Sequence, residues 1–175
     1  MKKGKKLVIN TFIILLMLLI GYYFCGFYIS KEQCIRESLR GMYAYETEFV
    51  MEFENRDRVC TLLTDEDKKT YSIVGTRKLF FVYHADSSLT GFKIKEEDVI
   101  DVLGMYDDKI GTSIFVYRTD KSITKIEVEL ENGDNITLDE WKKDYVGYLQ
   151  KNEMWVKGIY RAYNASGELV GELER

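Results

Sequence analysis

The chain has 175 residues, 46% of them hydrophobic and 14% aromatic, which leaves room for one ordinary domain or two small ones and is too apolar for disorder. It contains no proline, so Pro-rich linkers and PxxP ligands are excluded, and any internal boundary must be marked by Gly, Asn, Asp or Ser. The net charge of −4 hides an asymmetry: with Lys2, Lys3, Lys5 and Lys6 set aside, the 25 basic residues become 21 against 29 acidic ones, and that balance of −8 excludes nucleic-acid binding through a phosphate-neutralising patch.

After the basic tail, Leu7 to Ile29 reads LVINTFIILLMLLIGYYFCGFYI, 23 residues without a charge, interrupted only by Asn10 and Thr11. As a helix rising about 1.5 Å per residue, such a run spans the roughly 30 Å hydrocarbon core of a bilayer. It is longer than the apolar region of a signal peptide and lacks a small-residue cleavage site, so the sequence predicts a retained single-pass signal anchor. Tyr22, Tyr23, Phe24, Phe27 and Tyr28 read as an aromatic belt at the outer interface, and the lysines place residues 1–6 in the cytoplasm and Ser30 onward outside. Tyr23 and Phe24, where small residues precede a lipid-modified cysteine, argue against that role for Cys25. The expected partners are therefore the membrane, through residues 7–29, and another membrane or cell-wall protein met laterally.

Ser30-Lys31-Glu32-Gln33 has the capping-box pattern, so a new helix is predicted from Lys31. Ile35, Leu39 and Met42 make its apolar stripe, and Gly41 weakens its end; the alternative is that the membrane helix runs on to this point. Strands follow over Glu48 to Glu54, where Phe49, Met51 and Phe53 alternate with acids, then over Val59 to Leu63, Tyr71 to Val74 and Leu79 to Tyr83. Turns are expected at Thr64 to Lys68 and at Gly75-Thr76. The polar cluster Ala85 to Gly91 is the candidate internal boundary. Beyond it, Glu96 to Leu103 reads as a short helix or strand and Ser113 to Arg118 as a strand. Ile126, Val128 and Leu130, with Asn132-Gly133 and then Ile136 and Leu138, form the clearest hairpin. Asp139 to Leu149 leans towards a short helix, and Trp155 to Tyr163 pairs with Leu169 to Leu173 across Asn164 to Gly167.

The fold class expected is thus α+β, with one N-terminal transmembrane helix and a short helix packed on antiparallel meander and hairpin structure. The organisation expected is a tail at 1–6, a membrane helix at 7–29, a helix with meander at 30–90 and a β-rich hairpin region at 91–175, the last two as one domain or two. A capped helix followed by a meander ending in KLFFVYHADSS, then a β-rich half closing on IYRAYNASGELVGE, resembles small uncharacterised membrane-anchored or secreted envelope proteins of Gram-positive bacteria. That resemblance implies an envelope address and transfers no functional residue.

Constellations with chemistry are sparse. The single histidine, His84, stands beside Asp86, Ser87 and Ser88, but neighbours on one loop do not by themselves hold base, nucleophile and orienter in register. Cys34 and Cys60 are the candidate disulfide, closing a 27-residue loop worth roughly 3–4 kcal/mol in the chain-entropy model, with two free thiols as the alternative. Cys25 lies about 13 Å along a helix from Cys34, beyond disulfide reach. Without CxxC or a second histidine no zinc site is expected, and Asp65-Glu66-Asp67, Asp107-Asp108 and Asp134 lack EF-hand spacing for calcium. No Walker or GxGxxG pattern occurs, so no cofactor is expected. Trp141, Tyr145, Tyr148, Trp155, Tyr160 and Tyr163 read as core more than as a binding face. The function expected is a noncatalytic, membrane-tethered extracytoplasmic interaction module, with a membrane-anchored hydrolase or a calcium- or small-ligand-binding sensor as alternatives.

Overall fold

The computed structural model describes residues 2–42, 47–65, 70–95, 97–107, 111–130, 133–150 and 158–175. Helix α1 covers Lys2–Phe24. The Cys25 amide still donates to the Gly21 carbonyl at 2.9 Å, and then Gly26 turns at φ +73°, a left-handed conformation that glycine adopts without a Cβ clash. The chain beyond it lies down as strand β1 (Phe27–Tyr28), antiparallel to a later strand, with Phe27 opposite His84 and Tyr28 opposite Tyr83. The helix therefore stops before Phe27, and the residues read as one interfacial belt are divided between a helix end and a sheet edge. Among the described residues no helix is long and apolar enough to cross a membrane. The single-pass anchor over residues 7–29, and with it the cytoplasmic tail and external domain, is corrected on that finding. The apolar side chains of α1 from Leu7 to Ile20 are exposed, and Tyr22 stacks on Phe27 with ring centroids 5.3 Å apart.

Helix α2 (Lys31–Arg40) is separate from α1. Ser30, in extended conformation, accepts a hydrogen bond from the Gln33 amide at 3.3 Å. Glu32 in the first turn and Arg40 in the last complement the helix dipole. Cys34, Ile35 and Leu39 form its buried stripe.

The remainder is antiparallel β-structure, and the α+β expectation is corrected to a mainly β fold with two helices. Strands β2 (Glu48–Asn55), β3 (Arg58–Asp65), β4 (Thr70–Leu79) and β5 (Val82–Phe92) join β1 in a five-stranded sheet A, ordered β1-β5-β4-β3-β2. Sheet B contains β6 (Ile100–Asp107), β7 (Gly111–Arg118) and β10 (Tyr145–Gln150), ordered β10-β7-β6. Sheet C contains β8 (Ile123–Leu130), β9 (Asn135–Leu138), β11 (Gly158–Asn164) and β12 (Leu169–Glu174), ordered β12-β11-β8-β9.

Three apolar clusters stack these layers. Ile35 and Leu39 of α2 meet Leu63 and Val74 on one face of sheet A. Met51, Cys60, Leu62 and Ile73 on its other face meet Leu103, Met105, Phe115 and Leu149 of sheet B. Ile100, Ile114, Val116 and Val146 on the far face of sheet B then pack on Ile123, Ile126, Val128, Leu138, Tyr160 and Ala162 of sheet C. The order is helix, sheet A, sheet B, sheet C. Central β7 is buried along both faces, so its apolar residues run consecutively instead of alternating. One core thus joins residues on both sides of the expected boundary.

That boundary is itself a strand. Ala85 to Gly91 lies within β5, where its polar groups find partners: Asp86 with Arg77, Thr90 Oγ1 with Ser72 Oγ at 2.7 Å, and Ser87 Oγ with Met105 Sδ at 3.5 Å. Gly75-Thr76 is not a turn but runs through the middle of β4, opposite a bulge in β5 whose extra residue is Asp86; the chain reverses at Phe80-Phe81, with Phe80 at φ +58°. The segment read as a helix over 139–149 instead supplies β10, entered through Lys143 at φ +58°.

Candidate functional site

His84 and Asp86 are brought together, with Nδ1 3.2 Å from Oδ1, but as part of a clamp. The Asp86 side chain is fully enclosed; Arg77 Nη2 donates to its Oδ1 at 3.3 Å and Arg77 Nε stands 3.2 Å from Oδ2. The His84 ring packs against Phe27 with centroids 5.0 Å apart. The Ser87 hydroxyl is directed to Met105 of sheet B instead, so it is not available to this histidine as a nucleophile. The clamp ties β4, β5 and β1 together.

Cys34 also borders this clamp, as a free, buried thiol. Burial first, and then the negative charge of Asp86, push it up to about 11, against the opposing hydrogen bond from the Ala85 amide. A thiol held that high is protonated at neutral pH and a poor nucleophile. Cys60 is likewise free and buried, pushed up to about 12 by burial. The two do not pair: Cys34 lies on α2, outside sheet A, whereas Cys60 belongs to the cluster between sheets A and B. The sheet itself separates them, which answers the expected disulfide.

The acidic candidates do not converge. Asp65 is buried in β3, Asp107 and Asp134 have partners of their own, and Glu66, Asp67 and Asp108 lie outside the described residues. Among the described residues no three His, Cys, Asp or Glu side chains are placed to hold a metal ion. The late aromatics divide between core and rim. Tyr160 is buried in the core, Tyr145 shares a 2.8 Å hydroxyl contact with Tyr71, and Trp141 donates to the Thr124 carbonyl at 2.7 Å beneath the Arg118 guanidinium. Lys125 lies 4.7 Å over the Tyr163 ring. Trp155 lies outside the described residues.

The feature that sequence reasoning missed is a groove beside α2. The helix seats mainly on β4 and β5, reaches β3 through Leu63, and among the described residues leaves a space between itself and edge strand β2. The resulting cavity, about 450 Å³, has Ile35, Arg36 and Leu39 of α2 as one wall, Thr61 and Leu63 of β3 as its floor, and Phe49 and Glu52 of β2 as the other wall. Its volume falls within the roughly 300–1,000 Å³ of ordinary ligand sites. A bulge between Phe49 and Met51 creates the apolar outer wall. Met51 pairs with Leu62 and faces the core, while Phe49 pairs with Leu63 and faces α2, 60% exposed. A strict alternation assigns Phe49, Met51 and Phe53 to one face, and one inserted residue breaks that assignment.

Polar groups mark the groove's ends. Lys31 Nζ donates to Glu52 Oε2 at 2.6 Å and closes one end between helix and edge strand. Arg36 is exposed on the wall and has no ion-pair partner among the described residues. Thr61 is fully buried, and its hydroxyl has no hydrogen-bond partner among the described residues. A buried hydroxyl left unpaired costs about 1–3 kcal/mol, so the floor holds an unmet hydrogen-bonding group within an otherwise apolar slot. No family model, curated protein or solved structure matches the chain, so the likeness to Gram-positive envelope proteins gains no support from them.

Proposed function

We propose that the chain is a noncatalytic interaction module that engages a protein partner through the groove between α2 and β2. The carrying observation is the cavity between α2 and edge strand β2, floored by buried Leu63, Ile35 and Leu39 and walled by the exposed Phe49. A sheet face is ordinarily completed by a second packed element, and an amphipathic partner segment laid alongside α2 supplies it. Its apolar side chains fill the slot, and an acidic residue pairs with Arg36. Such helix-in-groove recognition draws affinity from buried apolar anchors and direction from the rim charge.

A hydrolase reading has less to stand on, because Asp86 is committed to Arg77 and His84, Ser87 faces away, and the Cys34 thiol is held protonated. Site-specific photo-crosslinking tests the interaction reading. A photoreactive residue at Phe49 is expected to give a discrete adduct that Arg36→Glu abolishes, while the same probe at exposed Leu169 gives none. Equal adducts from both positions, or an adduct indifferent to Arg36→Glu, reject it.

A further inference from the structure

A second cavity, about 430 Å³, opens between sheets B and C at the outer edge of β6. It exists because Gly104, opposite Ile114 in the β6–β7 register, adds no side chain to the inter-sheet layer. A Cβ built there meets nothing closer than the Ser113 carbonyl, 3.7 Å away. Val102, Leu103, Met105, Phe92 and the buried Tyr160 line it, so the space is largely apolar and bounded by residues of both sheets.

Its rim is cationic. Lys93 and Lys95 belong to the lining, are exposed, and have no ion-pair partner among the described residues. The third cation, Arg175, is held by Asp101, which is buried and also accepts from the Lys95 and Val102 amides at 2.8 Å each. Asp101 is the carboxylate of this lining, and with three donors already upon it the two lysines have no counter-charge among the described residues.

A largely apolar cavity with two exposed ammonium groups in its lining has a specific complement. We propose that this cavity binds a single-chain amphiphile, its alkyl tail between sheets B and C and its anionic head, a carboxylate or a phosphate monoester, on Lys93 and Lys95. Apolar burial draws the tail inward, and the head remains at the solvated rim where the lysines need not be desolvated.

Calorimetric titration of the full chain with hexanoate, octanoate and decanoate tests it, with octyl phosphate and octanol as head-group arms. Each added methylene is expected to tighten binding about fourfold while the cavity has room, and the stronger of octanoate and octyl phosphate identifies the head. Lys93→Gln with Lys95→Gln should weaken both anions at least tenfold and leave octanol unchanged. Gly104→Leu, which fills the cavity, should abolish binding of all three, with circular dichroism confirming that the variant is folded. Exposed α1 offers a nonspecific alternative for amphiphiles, and the variants separate the two sites. Binding unaffected by Gly104→Leu, or anions and octanol equally weakened by the lysine changes, overturns the proposal, as does affinity independent of chain length.

Discussion

Replacing Gly147 by alanine tests the stacking of sheets A and B at a single atom. Gly147 lies in β10 opposite Phe115 of β7, on the face covered by Phe53 of β2. A Cβ at this position falls 2.3 Å from Phe53 Cε2 and 2.5 Å from the Ile114 carbonyl oxygen, both well inside the 3.4–4 Å of ordinary contact. In an open strand the same substitution is favourable by roughly 0.5–1 kcal/mol, because alanine loses less backbone entropy on folding. Here the ring must leave Phe115, whose centroid is 5.5 Å away, and the β7 backbone must move as well. Overpacking of this kind costs about 1–3 kcal/mol. For a chain of this size each kcal/mol lowers the melting temperature by about 2–4 °C, so a fall of several degrees is expected in thermal and urea unfolding. Gly104→Ala, which meets no atom closer than 3.7 Å, is the control and should be neutral or stabilising. Adding Phe53→Leu to Gly147→Ala should recover part of the loss, because it relieves the ring contact and leaves the carbonyl contact. A Gly147→Ala chain that melts at or above the parent refutes the packing described.

Other expectations follow from the buried charges and thiols. Because the Cys34 and Cys60 thiols are raised above their ordinary 9.0 to about 11 and about 12 in the folded chain, the folded state keeps protons that the unfolded state releases. The stability they contribute is complete below pH 9 and is lost as pH rises through about 11 and 12. Urea midpoints measured from pH 8 to 11 should fall less steeply in a Cys34→Ala, Cys60→Ala chain than in the parent, and parallel slopes would contradict this. In the folded protein Cys25, which is exposed, should react with a thiol reagent first, with Cys34 and Cys60 following only on unfolding. Arg77→Ala leaves the enclosed Asp86 carboxylate with His84 alone and should destabilise by about 2–3 kcal/mol, below the figure for fully buried pairs because Arg77 is 31% exposed. Phe80→Gly relieves a left-handed residue that is 96% exposed and should stabilise by about 0.5–1 kcal/mol in urea melts.

Features written in adjacent residues were legible in the sequence. Ser30 caps α2, Gly133 turns at φ +85° between β8 and β9, and Asn164 accepts from the Ser166 and Glu168 amides to close the last hairpin. Ile126, Val128 and Leu130 all face the core, as their alternation indicates. What escaped depended on distant partners or on counting. Gly75 resembles a turn until β5 pairs along the whole of β4 and keeps it in the strand, the extra residue, Asp86, falling on the β5 side. β10 becomes a strand because β7 offers it an edge from across an intervening hairpin. One extra residue at Phe49–Met51 reverses which side chain faces α2, and the groove follows from that reversal together with the off-centre helix. The run of apolar residues continues past Phe24 in the sequence, but the backbone does not remain helical, since Gly26 redirects Phe27 and Tyr28 into pairing with β5. Cys34 and Cys60 are close enough in sequence to suggest a bond, yet only the sheet between them decides the matter.

The central sheet imposes an order on assembly. Its middle strand, β7, finishes at Arg118, yet one of its two neighbours, β10, does not begin until Tyr145, after the β8–β9 hairpin of the outer sheet has been laid down. A nascent or truncated chain that ends before Tyr145 therefore carries an unpaired β7 edge, apolar on both sides, and such an edge recruits other chains. Leu149 of the later half completes the layer on which Met51, Leu62 and Ile73 of the earlier half rest. The fold closes from its centre only when its late segments arrive, so damage near residue 147 reaches the early strands as directly as damage within them.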